Sequence, residues 1–168
     1  MTTSNASEFE RLKSIMSQLR NPDGGCPWDI EQSFETIAPY TIEEAYEVAD
    51  AIERGDYSEL KEELGDLLLQ VVFHSQIASE TGLFSVEDVA RSINDKMVRR
   101  HPHVFGDAEE RDADTQTEAW EAIKARERAE KGKSDEDTSA LAGVAKALPA
   151  LMRAEKIQKR AARTTSAT

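Results

Sequence analysis

The sequence predicts an all-α fold, a bundle of about five helices. Apolar side chains recur every three or four residues in several segments, the spacing of one face of an α-helix. Charged residues make up 32% of the chain, which indicates helices with exposed polar faces. At 168 residues the chain has the length of one domain with a sizeable core. We expect a helical domain over residues 1–132, followed by a linker and a basic helical tail over residues 133–168.

Start and stop signals place the helices along the chain. Their expected positions are residues 7–20, 41–54, 56–80, 85–100 and 115–132. Ser or Asp followed three residues later by an acidic residue, the pattern of a capping box, begins the first, third and fourth helices. The second helix is expected to begin at Thr41, capped together with Glu44, and to stop at Gly55.

The composition excludes several classes of function. There are 21 Lys and Arg against 33 Asp and Glu, so the net charge of −12 disfavours binding to nucleic acid or to an anionic membrane. The single cysteine, Cys26, cannot form a disulfide within the chain and fits a reducing compartment. The N-terminus has no apolar leader segment, and no apolar run approaches the ~20 residues of a membrane span. We therefore expect a cytoplasmic location.

Two acidic motifs lie within the stretch that reads TIEEAYEVADAIERGDYSELKEELGDLLLQVVFH, one on each side of a short break at GD. Glu44 and Glu47 are three residues apart on one predicted helix, and Glu63 and Asp66 are three apart on the next. Residues at this spacing share a helix face. The tight turn lets the second helix fold back antiparallel, which would bring four carboxylates together. Hard oxygen ligands of this kind suit Mg²⁺ or Mn²⁺.

The alternative interpretation is a solvated acidic helix face, and for either motif alone it is the commoner outcome. The repetition of the motif across one turn favours a metal site. Both helices are otherwise half apolar, so the acidic residues should lie near the edge of a core. His74 continues the acidic side of its helix. We interpret it as a core histidine with a satisfied hydrogen bond, with a supporting role beside the metal as the alternative.

Basic residues gather at the end of the fourth predicted helix, at Lys96, Arg99 and Arg100. Cations at a helix C-terminus are favourable against its dipole, which alone could explain them. In so acidic a chain, however, a local cationic cluster is also a candidate anion site. The tail from Leu141 is basic as well, and it could pair with the acidic body, with a partner chain or with an anionic ligand.

Several segments in order resemble the MazG family of all-α nucleoside triphosphate pyrophosphohydrolases. They are GGCPWD, IEEAYEVADAI, LKEELGDLLLQVVFH, DKMVRRHPHVFG and LPALMRAEKIQKRAA. The resemblance covers roughly residues 12–162. It implies a bundle with a four-helix core that assembles as a homodimer. It also implies hydrolysis of nucleoside triphosphates between the α and β phosphates to a monophosphate and pyrophosphate, as in housekeeping of the nucleotide pool. Fuller members of the family carry two such domains, so the chain is expected to be a short form or an N-terminal half.

The resemblance further implies roles for particular residues. Five acidic residues would be catalytic, the last four as ligands of Mg²⁺ or of Mn²⁺ as a substitute: Glu43, Glu44, Glu47, Glu63 and Asp66. Glu43, the extra acid, would act as a base or would support the ligands of the metal. Four residues would bind the substrate, the first two at its phosphates: Lys96, Arg100, Trp120 and Lys124.

Two other classes of helical protein are alternatives to a pyrophosphohydrolase. A di-iron carboxylate bundle needs Glu three residues before His on two helices, and no histidine of this chain has it. A non-catalytic helical module that binds nucleotide or a partner protein is the serious alternative. The chain contains no P-loop and no Gly-rich dinucleotide turn. Base preference is not determined by the sequence.

Overall fold

The computed structural model describes residues 7–106, 119–120, 122–123, 126–127 and 144–165. Its helices are α1 Glu8–Leu19, α2 Pro27–Glu31, α3 Phe34–Arg54, α4 Tyr57–Glu80, α5 Val86–Arg100, α6 Pro102–Phe105 and α7 Ala150–Thr165. The described residues between 119 and 127 are helical as well. The described residues contain no strand, which confirms the all-α prediction. None of the described helices is both long enough and apolar enough to cross a membrane.

The chain divides into two compact units, Met1–Met97 and Val98–Thr168, and the division falls within α5. The first unit contains α1 to α4 and most of α5. The second contains α6, the helical residues between 119 and 127, and α7. The predicted boundary at residue 133 lies outside the described residues and stays a prediction.

Helices α3 and α4 form an antiparallel hairpin with a two-residue connection. Gly55 ends α3 with a φ of +70°, a left-handed conformation that favours glycine. The next residue, Asp56, caps α4 and accepts hydrogen bonds at 3.1 Å from the backbone N–H groups of Ser58 and Glu59. The short connection forces the second helix back along the first, as predicted for the two acidic motifs.

The core of the first unit lies at the end of this hairpin that is far from the turn. It is made by α1, α3 and α4, with Val86 of α5 packed at its side, and its buried members are Met16, Ile37, Val72, Phe73 and Ile77. Two fixed points therefore bracket the middle of the hairpin, the core at one end and the Gly55 turn at the other. The acidic motifs lie between them.

Helix α3 begins at Phe34, seven residues before the predicted start at Thr41. Ser33 caps it, since its hydroxyl accepts from the N–H of Thr36 while the Thr36 hydroxyl accepts from the N–H of Ser33. The predicted cap of Thr41 and Glu44 is therefore wrong. Pro39 lies inside the helix and lacks one backbone N–H, but burial of Ile37 and the reciprocal cap stabilise the first two turns.

Arg20, at the end of α1, is a buried cation with partners on three segments. Its guanidinium donates to both carboxylate oxygens of Glu80 in α4, at 3.0 and 2.7 Å. It also donates to the backbone carbonyls of Asp29 and Gln32 and lies over the Phe73 ring, 5.5 Å from its centre. This set of contacts ties the segment that leads into α3 to the ends of α1 and α4.

We predict that Arg20→Met lowers the free energy of unfolding by about 3 kcal/mol, because it removes the charge-assisted hydrogen bonds that the buried guanidinium donates to Glu80. It also removes a donor from two carbonyls. Urea denaturation followed by circular dichroism measures the change. Arg20 lowers the pKa of Glu80, so the stabilisation is complete above the ordinary glutamate pKa and is lost as the pH falls through the lowered value.

The matched control is Arg91→Met, which removes an exposed pair with Asp88 and should change the stability by less than about 0.5 kcal/mol. Equal losses in the two variants would show that the buried pair has no special role.

Candidate metal centre

Three carboxylates converge between α3 and α4. One oxygen each of Glu44, Glu63 and Asp66 lies within 4.8 Å of the other two. Glu44 and Glu63 are half-buried, whereas Asp66 is exposed. The geometry follows from the antiparallel hairpin, which sets the middle of α3 against the second and third turns of α4. Three carboxylate oxygens from two rigid helices are a donor set that fits a hard divalent cation such as Mg²⁺ or Mn²⁺.

Glu47 lies beside this group and is not one of its three members. It contributes, after burial and the charge of Asp66, to the raised pKa of Glu44. Its side chain is exposed, as is that of Glu43. The structure thus brings together three of the four predicted ligands and places the fourth next to them. That Glu47 binds metal stays a prediction, and so does the role of Glu43.

The electrostatics of the group favour binding of a cation. Partial burial, followed by the negative charge of Asp66, raises the pKa of Glu44. Partial burial, followed by the charges of Glu47 and Asp66, raises the pKa of Glu63. Both shifts mean that the ionised cluster is destabilised in the folded chain. A bound cation would remove the repulsion that causes them.

His74 lies one helical turn beyond Gln70 on α4, at the core end of the hairpin. Its Nε2 is 3.1 Å from the Thr41 hydroxyl, and its ring stacks on Phe34 with an angle of 11° between the planes. Burial lowers the pKa of His74, so the neutral imidazole is favoured. These contacts fit the core histidine that the sequence favoured, with a hydrogen bond at Nε2, while its buried Nδ1 has no hydrogen-bond partner among the described residues.

The predicted substrate residues lie at the end of α5 and beyond it. Lys96 is half-buried on α5, within the first unit. Arg100 belongs to the second unit, where its backbone carbonyl accepts a 3.0 Å hydrogen bond from Nε1 of Trp120. The Trp120 ring also meets the His101 ring edge-on, with 4.9 Å between the ring centres. Two of the predicted residues, Arg100 and Trp120, are thus in direct contact, while Lys124 lies outside the described residues.

Sequence reasoning missed Glu127, which binds the guanidinium groups of both Arg99 and Arg100. These two partners lower the pKa of Glu127 to about 2. The residue lies seven positions after Trp120, a spacing of two turns in the helix predicted over residues 115–132. That spacing was the available signal, but an acidic residue in an acidic segment did not stand out.

Comparisons with known proteins find similarity to nucleotide pyrophosphohydrolases. The model of the MazG nucleotide pyrophosphohydrolase domain matches residues 32–105, a stretch that includes both acidic motifs. A nucleoside triphosphate pyrophosphohydrolase of Escherichia coli K12 is 54% identical over 155 residues, which are 92% of this chain and 57% of that protein. The MazG nucleoside triphosphate pyrophosphohydrolase/pyrophosphatase of Thermotoga maritima is 48% identical over 153 residues, 91% of this chain and 56% of that protein.

A solved structure is similar as well. The crystal structure of a MazG-related protein from Thermotoga maritima matches with a TM-score of 0.57 at 28% sequence identity, and the match covers 69% of this chain and 98% of that one. The chain thus spans more than half, but less than two thirds, of the two curated relatives.

We predict that Mg²⁺ or Mn²⁺ raises the melting temperature of the wild-type chain, and that Glu44→Gln abolishes most of this rise. A ligand that binds only the folded state stabilises it by roughly 2.7 kcal/mol at a hundredfold excess over its Kd. Without metal at neutral pH, the same variant should melt above the wild type, because one repelling charge is gone. This difference should shrink as the pH falls towards the ordinary glutamate pKa, since the raised pKa lets the wild-type cluster take up protons first.

Glu53→Gln, on the same helix and outside the cluster, is the control and should respond to metal like the wild type. Retention of the full metal response by Glu44→Gln would contradict the assignment. The measurement is differential scanning fluorimetry over a titration of each cation.

Proposed function

We propose that this chain, whose residues 32–105 match the MazG nucleotide pyrophosphohydrolase domain, hydrolyses nucleoside triphosphates to a nucleoside monophosphate and pyrophosphate, using Mg²⁺ with Mn²⁺ as a substitute. The observation that carries the proposal is the convergence of Glu44, Glu63 and Asp66. Reactions of phosphate esters are catalysed mainly by positioning and by neutralisation of negative charge on the phosphate. These three carboxylates can hold the cation that neutralises it.

In the proposed reaction a water oxygen forms a bond to the α-phosphorus, and the bond from that phosphorus to the α–β bridging oxygen breaks. When bound at Glu44, Glu47, Glu63 and Asp66, the metal supplies positive charge to the phosphate oxygens on which negative charge accumulates. We assign Glu43, the extra acid of the first motif, to accept the proton of the water. The electron pair of the broken bond leaves with pyrophosphate.

The cationic residues of α5 are assigned to the leaving pyrophosphate. Lys96 and Arg100 are four residues apart and so lie one turn from each other on that helix. A guanidinium binds two phosphate oxygens at once, whereas an ammonium acts as a point charge. Trp120, which holds the backbone of Arg100, and Lys124 are assigned to the nucleotide by their motif positions.

The reaction type is tested by product analysis. We predict that the purified chain converts nucleoside triphosphates to monophosphate and pyrophosphate only when Mg²⁺ or Mn²⁺ is present. Ion-exchange chromatography of the products measures this, with a metal-free reaction as the control. Nucleoside diphosphate and orthophosphate as the main products would contradict the proposed bond. Nucleotide binding without any turnover would support the alternative, a non-catalytic nucleotide-binding module.

We also propose that the chain forms a homodimer through the hairpin of α3 and α4. Large apolar side chains remain 42–52% exposed along both helices: Ile42, Tyr46, Leu64 and Leu68. The spacing of Ile42 and Tyr46, and of Leu64 and Leu68, is one helical turn, so each pair forms part of a stripe. Contiguous apolar surface of this kind is typical of a partner interface.

A dimer should therefore be found by sedimentation at micromolar concentration. The charged double variant with Tyr46→Lys and Leu68→Glu should sediment as a monomer and keep its helix content. A wild-type chain that is a monomer with full activity would contradict this proposal, and it would leave the metal centre unaffected.

A further inference from the structure

Two neighbouring arginines of the second unit share one carboxylate. Oε1 of Glu127 accepts from Nη2 and Nε of Arg99, at 2.8 and 3.1 Å. Oε2 of the same carboxylate accepts from Nη2 of Arg100, whose Nε is 3.4 Å from Oε1. The Glu127 and Arg100 side chains are mostly buried, at 18% and 21% exposure, whereas that of Arg99 is 57% exposed.

The carboxylate occupies one of the two edges through which the Arg100 guanidinium can bind a phosphate, the edge formed by Nε and Nη2. Carboxylate and phosphate oxygens accept the same paired hydrogen bonds from a guanidinium. While Glu127 is bound to Arg100, its oxygens take up both the Nε and the Nη2 donors of that side chain. A phosphate that binds Arg100 in this way must first displace the carboxylate.

The Glu127 carboxylate can leave Arg100 without losing its ion pair with Arg99. Oε1 remains held by two hydrogen bonds from Arg99 when Oε2 leaves Arg100. The backbone of Arg100 is fixed independently, because Trp120 donates to its carbonyl. Only the contacts between Arg100 and Glu127 need to break, and the displaced carboxylate stays charged and paired with the exposed Arg99.

We propose that Glu127 is an internal competitor for the phosphate-binding guanidinium of Arg100, and that it thereby sets the affinity for the phosphate tail of the substrate and promotes release of pyrophosphate. This inference rests on the proposed function, in which Arg100 binds that tail. Removal of the carboxylate should strengthen the binding of phosphates, whereas a residue that merely positions Arg100 would weaken it when removed. The two roles therefore predict opposite signs.

The test compares Glu127→Gln with the wild type in two measurements. Calorimetry with inorganic pyrophosphate is expected to give about a tenfold lower Kd for the variant, the equivalent of one charged hydrogen bond that no longer has to be broken. The KM for a nucleoside triphosphate with Mg²⁺ should fall as well, and inhibition by added pyrophosphate should become stronger. Glu155→Gln is the matched control, since it removes one charge of the same unit that is paired with Lys159. It should leave the Kd unchanged.

Further variants separate the possible failures. An unchanged or higher Kd in Glu127→Gln would overturn the inference, while loss of pyrophosphate binding in Arg100→Ala would still support the proposed function. Wild-type binding by Arg100→Ala would overturn the inference together with the assignment of Arg100 to the phosphate tail, whereas the proposed reaction is tested separately by its products. Circular dichroism checks the fold, and Glu127→Ala provides a second variant. If neither variant folds, the ion pair is structural and the inference is wrong.

Discussion

Repulsion between like charges is the constraint on which the arrangement of the first unit depends. The hairpin holds Glu44, Glu63 and Asp66 within 4.8 Å of one another, although each carboxylate raises the free energy of the others. The force that opposes this repulsion comes from elsewhere in the hairpin. At one end the apolar core fixes the helices, and at the other the Gly55 turn sets their direction. The cluster is therefore strained by packing rather than formed by attraction, and a cation relieves it.

Three arginines of the same chain are instead paired with carboxylates. Arg20 is a buried cation that donates to Glu80 and to two backbone carbonyls, so its charge is neutralised within the fold. Arg99 and Arg100 both pair with the carboxylate of Glu127. The acidic centre of the first unit, by contrast, keeps an excess of negative charge that a divalent cation can balance.

Much of this could be predicted from the sequence, because the information was local. Spacing of three residues, a two-residue turn and cap signals determine the hairpin and its acidic faces. The start of α3 was not predicted, since Ser33 with Thr36 is a weaker cap pattern than Thr41 with Glu44, and burial of Ile37 decides between them. Glu127 was not predicted because its partners lie 27 and 28 residues away, and local patterns carry no information about such contacts.

The contact between Arg20 and Glu80 joins residues sixty positions apart, and the loop that it closes contains both acidic motifs. Hairpin contacts need little loop closure and can form early, whereas a contact across sixty residues has to wait until the chain between them is ordered. During folding, we therefore expect the hairpin of α3 and α4 to bring the mutually repelling carboxylates together first. The contact between Arg20 and Glu80 then fixes the core end of the hairpin.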